Sequence, residues 1–331
     1  MYYQLGKDAW DKALSDLLGS YMIYAPLLIG NHQDYELLDK ELVKHIVYNA
    51  PRPSTPLKSF FLPVKENVVA ENTVDTPVII LGIPGCDLSA LDLLDAFFLD
   101  EEYPDNYYAK RRRLAVLIGT DCHASHGSCH CSSYGLKPYP EKNHDISLAV
   151  VNGGVYLTVI TKKGEKLLEF IKKAVAVNVL EGGLPDEITE IRNQVKQEVE
   201  TNNKRLPNYQ ETTHAVKNAV HSKWTYYSEK CVSCGACAAI CPTCTCFLLI
   251  DRPGFEKVRQ LDACQYPGFE RMAGGEDPLK RLVDRFRNRY LCKYKYRPEK
   301  YEAIACTGCG RCIETCIAKI DKNELLVELT K

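Results

Sequence analysis

Hydrophobic residues in the first part of the chain alternate between helical and strand spacing. Residues 8–20 repeat at helical intervals, whereas the aliphatic runs at 76–82 and 113–119 predict two buried strands. Residues 88–100 predict a helix between these strands, with Asp87 as its N-cap. Strand, helix and strand in this order predict a βαβ unit whose strands pair in parallel.

The hydrophobic pattern predicts a hairpin and further helices in the rest of the chain. Residues 146–161 predict a hairpin around an Asn-Gly-Gly turn, and residues 163–176 predict a helix. After a charged helix, the polar stretch near 205–215 predicts a linker, so we expect one domain over 1–212 and another over 213–331. In the second part, helical spacing predicts helices at 214–230 and 277–293.

Composition and charge exclude several classes of protein. The net charge of −1 over 331 residues gives no overall field that would attract nucleic acid or an acidic membrane surface. No apolar run approaches the roughly 20 residues that span a bilayer, and the N-terminus lacks the pattern of a secretion signal. We therefore expect a cytoplasmic protein without a membrane span.

The chain contains sixteen cysteines, which is a high count for a protein of this kind. Because the cytoplasm keeps thiols reduced, the cysteines indicate metal or cluster ligation rather than disulfides. Four lie in the first half, about 100 residues follow without any, and the other twelve fall between Cys231 and Cys316.

Two cysteine motifs have the spacing typical of 4Fe–4S clusters. CVSCGACAAICP begins at Cys231, and CTGCGRCIETCI begins at Cys306, with Ile317 in place of the usual proline. In two-cluster folds the fourth cysteine of each motif reaches the other cluster. We therefore expect two sets of ligands. The first-motif set is Cys231, Cys234, Cys237 and Cys316. The second-motif set is Cys306, Cys309, Cys312 and Cys241. Zinc is the weaker alternative, since structural zinc prefers two pairs of ligands.

Four further cysteines remain in the second half. We call Cys244, Cys246, Cys264 and Cys292 the tail set. The Cys-x-Cys step cannot place both sulfurs in one helical stripe, which favours a third cluster. Buried free thiols and a zinc site are the alternatives.

The first half carries an N-terminal set, which is Cys86, Cys122, Cys129 and Cys131. Cys86 and Cys122 follow the two predicted parallel strands, so both should lie at the carboxyl edge of the sheet, where open α/β sheets place ligands. A fourth cluster is expected here. Zinc is the alternative, because His123, His126 and His130 lie among these cysteines, although each histidine alone fits a surface or supporting role better.

The motifs together resemble the beta subunit of cytosolic nickel–iron sulfhydrogenases and the related iron–sulfur subunit of anaerobic sulfite reductases. The resemblance rests on PDNYYAKRRRLAVLIGTDC, CVSCGACAAICPTCTCF, LDACQYPGFERMAGG, DRFRNRYLCK and CTGCGRC. It implies an electron-transfer subunit with several 4Fe–4S clusters. It also implies a partner that binds FAD and NAD(P)H, and a terminal hydrogenase, sulfite reductase or heterodisulfide reductase subunit.

The predicted fold is an α/β N-terminal domain with a mixed or parallel sheet, followed by a mainly α-helical, two-cluster ferredoxin-like domain. LGIPG lacks a full dinucleotide fingerprint, so flavin and nicotinamide should bind to a partner. An alternative function is a subunit with an open cluster of its own that reduces sulfite or polysulfide.

A basic stretch in the second half has two interpretations. It could favour reduced clusters or an acidic partner through its positive field, or it could be a solvated helix face. Its residues are Lys280, Arg281, Arg285, Arg287, Arg289, Lys293, Lys295, Arg297 and Lys300.

Overall fold

The computed structural model describes residues 1–70 and 75–331. Its strands in chain order are β1 Tyr2–Gly6, β2 Met22–Ile29, β3 His32–Leu37, β4 Lys65–Asn67, β5 Val78–Ile83, β6 Ala115–Thr120, β7 Ile146–Val151, β8 Gly154–Val159, β9 Asn178–Leu180, β10 Phe247–Arg252 and β11 Glu256–Leu261.

The helices are concentrated in the second half. They are α1 Lys7–Leu17, α2 Gly85–Phe98, α3 Asn106–Leu114, α4 Lys162–Ala174, α5 Asp186–Asn202, α6 Tyr209–Asn218, α7 His221–Ser228, α8 Ala236–Ala239, α9 Leu282–Leu291, α10 Arg297–Tyr301, α11 Arg311–Glu314 and α12 Lys322–Thr330. A π-helical turn, Cys292–Tyr296, joins α9 to α10. Short 3₁₀ turns cover Leu42–His45, Leu57–Phe60 and Ser132–Tyr134.

The large sheet is mixed and has the strand order β3-β2-β5-β6-β7-β8-β1-β9. Its centre is parallel, because β2 pairs with β5, β5 with β6, and β6 with β7 in the same direction. The carboxyl ends of β5 and β6 therefore meet at one edge of the sheet. The predicted α/β fold with its βαβ unit is confirmed.

The predicted hairpin is also confirmed. Strands β7 and β8 pair antiparallel, and the turn between them has positive φ at Asn152 (49°) and Gly153 (74°). Two successive residues with positive φ match the right-handed twist of the flanking strands. This is why the Asn-Gly pair identifies the turn from sequence alone.

Two local predictions were wrong. Asp87 does not cap α2, since Pro84 occupies the N-cap and Asp87 lies inside the first turn, fully buried. Residues 214–230 do not form one helix, because Ala219 and Val220 are extended, with ψ of 133° and 150°, and separate α6 from α7.

A small antiparallel sheet joins the two halves of the chain. It has the order β10-β11-β4, so a hairpin from the second half pairs with a strand from the first. The division at residue 212 stays a prediction. Within the described residues, no helix has both the length and the apolar content required to cross a membrane.

Candidate metal centres

The first-motif set surrounds one cavity. Cys237 lies on α8, which begins after Gly235 at a φ of +72°, and Cys316 follows α11. The cavity lining contains all four cysteines of the set together with Cys312. The structure thus brings Cys316 to the three closely spaced thiols of the other motif, as a two-cluster fold requires.

The second-motif set lies between the two halves of the chain. Cys306, Cys309 and Cys241 are all buried. Oγ1 of Thr243 lies 3.3 Å from Sγ of Cys241 and donates to the carbonyl of Ala305, the residue before Cys306, at 2.7 Å. Cys241 therefore lies near the second motif, which agrees with the predicted exchange of the fourth cysteine.

The N-terminal set gathers where the sequence predicts it. Cys86 lies in the first turn of α2, directly after β5, and Cys122 follows β6. These two cysteines line one cavity with Cys129 and Cys131, and Cys309 of the second motif also reaches this cavity. Parallel neighbouring strands end at the same edge, which explains why cysteines far apart in sequence meet here.

Two glycines allow the second-motif loop to pack directly on the N-terminal set. Gly308 and Gly310 have φ of +66° and +75°. A Cβ atom on Gly308 would lie 2.5 Å from the backbone N of Cys131, and one on Gly310 would lie 2.5 Å from the carbonyl O of Ser128. The backbone N–H of His130 also donates to the carbonyl of Gly308 at 2.8 Å. The two cysteine sites are therefore in contact through their backbones.

The tail set is partly assembled by the small hairpin and the loop after it. The backbone N–H of Asp262 donates to the carbonyl of Cys246 at 2.9 Å, and the neighbouring thiol of Cys264 lowers the pKa of Cys246 to about 6. Cys244 lies close enough to Cys241 and Cys264 for their charges to interact. Cys292 begins the π-helical turn, and its membership of the set stays a prediction.

His130 has no ring nitrogen left for a metal ion in this arrangement. Its Nδ1 lies 2.9 Å from the carbonyl of Ser128, and its Nε2 lies 2.8 Å from Nζ of Lys322. The residue is 1% exposed. His130 is therefore a supporting residue rather than a ligand of the zinc site considered above. Burial lowers the pKa of His123, which is partly buried, and also that of the more exposed His126.

Four buried cations approach the cysteines without a carboxylate partner among the described residues. Nζ of Lys58 donates to the carbonyls of Ala238 (3.1 Å) and Cys244 (3.0 Å). Nζ of Lys293 donates to Oγ1 of Thr243 (2.7 Å) and to the carbonyl of Ala305 (2.9 Å). The other two members of this group are Arg289 and Lys322.

Charge from the cysteines compensates three of these cations, Lys293, Arg289 and Lys322, whereas burial outweighs it at Lys58 and lowers the pKa of that lysine. Burial opposes the charged form of Lys293, but the thiolates of Cys241 and Cys244 outweigh it and raise the pKa of Lys293. In the same way, burial would raise the pKa of Cys306, whereas the Lys322 ammonium and His130 hold it well below its usual value. A buried cation without a counter-charge is costly, so these residues fit an anionic group held by the thiolates.

Two buried hydrogen-bond donors also indicate that a further group binds among the cysteines. Nε of Arg289 and Oγ1 of Thr307 are buried and have no hydrogen-bond partner among the described residues. Arg289 lines the first-motif cavity, and Thr307 directly follows Cys306. Buried donors are almost always satisfied, and the sulfur atoms of a 4Fe–4S cluster accept hydrogen bonds. The residues present therefore fit such clusters.

The buried lysine and arginine side chains near the cysteines were the residues that the sequence identified least well. Within the basic stretch, Arg285, Arg289 and Lys293 are buried. The solvated-face interpretation is wrong for these three residues. Their spacing of four was a signal that one face of the helix is turned inward. Lys58 and Lys322 carried no comparable signal, since each lies outside the cysteine motifs.

Within residues 1–70 and 75–331, no three cysteine, histidine, aspartate or glutamate side chains form a group that could hold a single metal ion.

Comparison with known proteins supports the iron–sulfur assignment. Residues 230–320 match the family model of the 4Fe-4S dicluster domain. The chain is 28% identical over 344 residues to sulfhydrogenase 2 subunit beta of Pyrococcus furiosus, an alignment that covers 99% of this chain and 98% of that relative. The resemblance drawn from the motifs is confirmed: this chain is similar over almost its whole length to the beta subunit of a sulfhydrogenase, and its residues 230–320 match a 4Fe-4S dicluster domain.

Proposed function

We propose that this chain is a cytoplasmic electron-transfer subunit that relays electrons between a flavin- and NAD(P)H-binding partner and a terminal hydrogenase or reductase subunit. The observation that carries the proposal is the contact between successive cysteine sets. Each of the four sets would hold one 4Fe–4S cluster, and such a cluster takes up and releases one electron at a time. The chain itself holds these groups, excludes water and sets the charge around them.

The order of the sets follows from the contacts. The N-terminal set adjoins the second-motif set, because Cys309 lines its cavity and Gly308 packs on Cys131. The second-motif set adjoins the first-motif set, because Cys312 lines the cavity of Cys237. These contacts support a continuous path from the edge of the large sheet to the first motif.

The tail set would form a branch of this path. Cys241 belongs to the second-motif set and lies beside Cys244. The short segment from Cys231 to Cys246 therefore contributes thiols to three sets, which makes it the junction of the proposed path.

One end of the path reaches the surface. Cys234 is exposed, and the side chains of Val232 and Ile317 beside the motif cysteines are 62% and 68% exposed. A thiolate ligand at the surface brings its cluster close to a partner. This geometry supports electron exchange with another protein through the first-motif set.

The nucleotide cofactors belong on a partner in this proposal. Helix α2 begins after a Gly-containing turn, but a Cβ atom on Gly85 would lie 2.5 Å from the carbonyl O of Tyr139 and 2.9 Å from that of Lys137. Backbone from residues 137–139 thus packs against the start of the helix, where a dinucleotide phosphate would otherwise approach. Cys86 next to it lines the N-terminal cavity.

Copurification of the native complex tests this function. The chain should be isolated anaerobically from its own cells, and its partners identified by mass spectrometry and by flavin content. We expect a flavin-containing subunit in the complex and reduction of the iron–sulfur signals by NADH or NADPH. A chain that copurifies with no flavoprotein, or whose signals stay oxidised when the complex receives either nucleotide, would contradict the proposal.

A further inference from the structure

Lys322 is the buried cation with the most direct contact to a cysteine sulfur. It begins α12 and is 3% exposed. Its Nζ lies 3.3 Å from Sγ of Cys306, 2.8 Å from Nε2 of His130 and 3.1 Å from the hydroxyl of Tyr294. The three groups come from three separate segments of the chain, so one ammonium group joins them.

The surroundings of this ammonium hold it in place without neutralising it. The rings of Tyr134 and Tyr294 lie 5.5 Å and 5.8 Å from Nζ, within the range of cation–π attraction. No carboxylate among the described residues pairs with Lys322. The positive charge is therefore directed at Cys306.

The contact with His130 connects Lys322 to a second cysteine set, the N-terminal set. Because Nδ1 of His130 donates to the carbonyl of Ser128 at 2.9 Å, its Nε2 is the acceptor for the Lys322 ammonium. His130 lies between Cys129 and Cys131. Lys322 thus touches the second-motif set directly and the loop of the N-terminal set through one imidazole.

We propose that Lys322 is a positioning residue shared by two neighbouring cluster sites. Its ammonium supplies positive charge at the Cys306 site, and through His130 it fixes the loop that carries Cys129 and Cys131. This inference rests on the proposed function, since it assumes that both sets hold clusters. A positive charge near a cluster stabilises the reduced form, which carries more negative charge.

The test uses the full chain, purified anaerobically and reconstituted with iron and sulfide. Redox titrations followed by electron paramagnetic resonance would compare the wild type with Lys322→Met, Lys322→Arg and His130→Gln. Lys223→Met is the matched control, because Nζ of Lys223 also contacts α12, at the carbonyl of Glu328 (2.9 Å), away from the cysteines. Iron and sulfide contents are measured for each variant.

We expect Lys322→Met to shift the midpoint potential of one signal downward, and Lys322→Arg to shift it less. His130→Gln should lower the iron content of the N-terminal set, and Lys223→Met should match the wild type. Lys322→Met could also lose the signal of the second-motif cluster, and in that case Lys322→Arg is the deciding variant. A signal that Lys322→Arg retains supports the role of the charge, and a signal that Lys322→Arg loses contradicts it.

Two results separate the inference from the function. Unchanged potentials in Lys322→Met, with normal iron content, would overturn the inference and leave the electron-transfer function standing. A wild-type chain without any 4Fe–4S signal would overturn both.

Discussion

Asp87 and Arg311 form a buried ion pair between the two halves of the chain. The two guanidinium nitrogens lie 2.5 Å and 2.8 Å from the two carboxylate oxygens, and the side chains are 0% and 1% exposed. Asp87 follows Cys86, and Arg311 comes two residues after Cys309. The pair therefore fixes the N-terminal set relative to the second-motif set.

Removing one partner of this pair should be strongly destabilising. Asp87→Ala leaves the Arg311 guanidinium buried without its counter-charge, which costs about 3–5 kcal/mol in comparable pairs. We expect a clearly lower melting temperature in anaerobic thermal unfolding, together with loss of iron from the N-terminal set.

A surface ion pair provides the control for this variant. Asp16 pairs with Lys12 at 2.7 Å, but the two side chains are 44% and 60% exposed. Asp16→Ala should change stability by less than about 1 kcal/mol. Equal effects of Asp16→Ala and Asp87→Ala would contradict the structural role given to the buried pair.

Gly310→Ala should disrupt the contact between the second-motif loop and the N-terminal set. Its Cβ atom would meet the backbone of Ser128. Gly254→Ala is the matched control, since Gly254 also has positive φ (84°) but a Cβ there meets nothing within 4 Å. The control should cost only the backbone strain of about 1–2 kcal/mol. Iron content should fall in Gly310→Ala alone, and a similar fall in both variants would argue against the close packing.

Pairs of cysteine substitutions should reveal which cysteines share a cluster. Cys86→Ser and Cys129→Ser combined should lose about four irons per chain, no more than either change alone, because one 4Fe–4S cluster is removed. Cys86→Ser combined with Cys264→Ser should lose about eight irons. A loss of about eight irons from two changes within one set would contradict the predicted grouping. A loss of only about four irons from two changes in different sets would contradict it as well.

Lys293→Met tests the buried face of the basic stretch. Lys293 is 3% exposed and lies among Cys241, Cys244 and Cys306. Loss of its charge should lower at least one midpoint potential by roughly 50–130 mV, which corresponds to about 1–3 kcal/mol for one electron. The exposed Lys300 is the control, and Lys300→Met should leave the potentials unchanged. Equal shifts in both variants would indicate an effect of net charge rather than of the buried face.

The sequence predicted the fold, and it predicted that the cysteines of the first-motif and N-terminal sets lie together, because both depend on short patterns. Continuous aliphatic runs identify β5 and β6, and cysteines directly after parallel strands must share an edge. The spacing of the two motifs likewise predicts which thiols share one cluster, and this grouping stays a prediction. These features need no knowledge of the rest of the chain.

The supporting residues could not be predicted in this way, because their partners are distant in sequence. Asp87 has the features of an N-cap, yet it binds Arg311, 224 residues later. Lys322 reaches His130 across 192 residues. A charged residue is usually exposed, so only the folded arrangement identifies these two as buried. The hairpin β10–β11 was not predicted either, since no residue of β10 is fully buried and β4 from the first half of the chain completes its sheet.

Iron and acid-labile sulfide analysis of the anaerobically purified chain tests the central claim most directly. Four cysteine sets predict about 16 irons and about 16 sulfides per chain, with no bound zinc and no reduction of sulfite or polysulfide by the isolated chain. Eight or fewer irons together with bound zinc would contradict the interpretation of this protein as a four-cluster electron-transfer subunit.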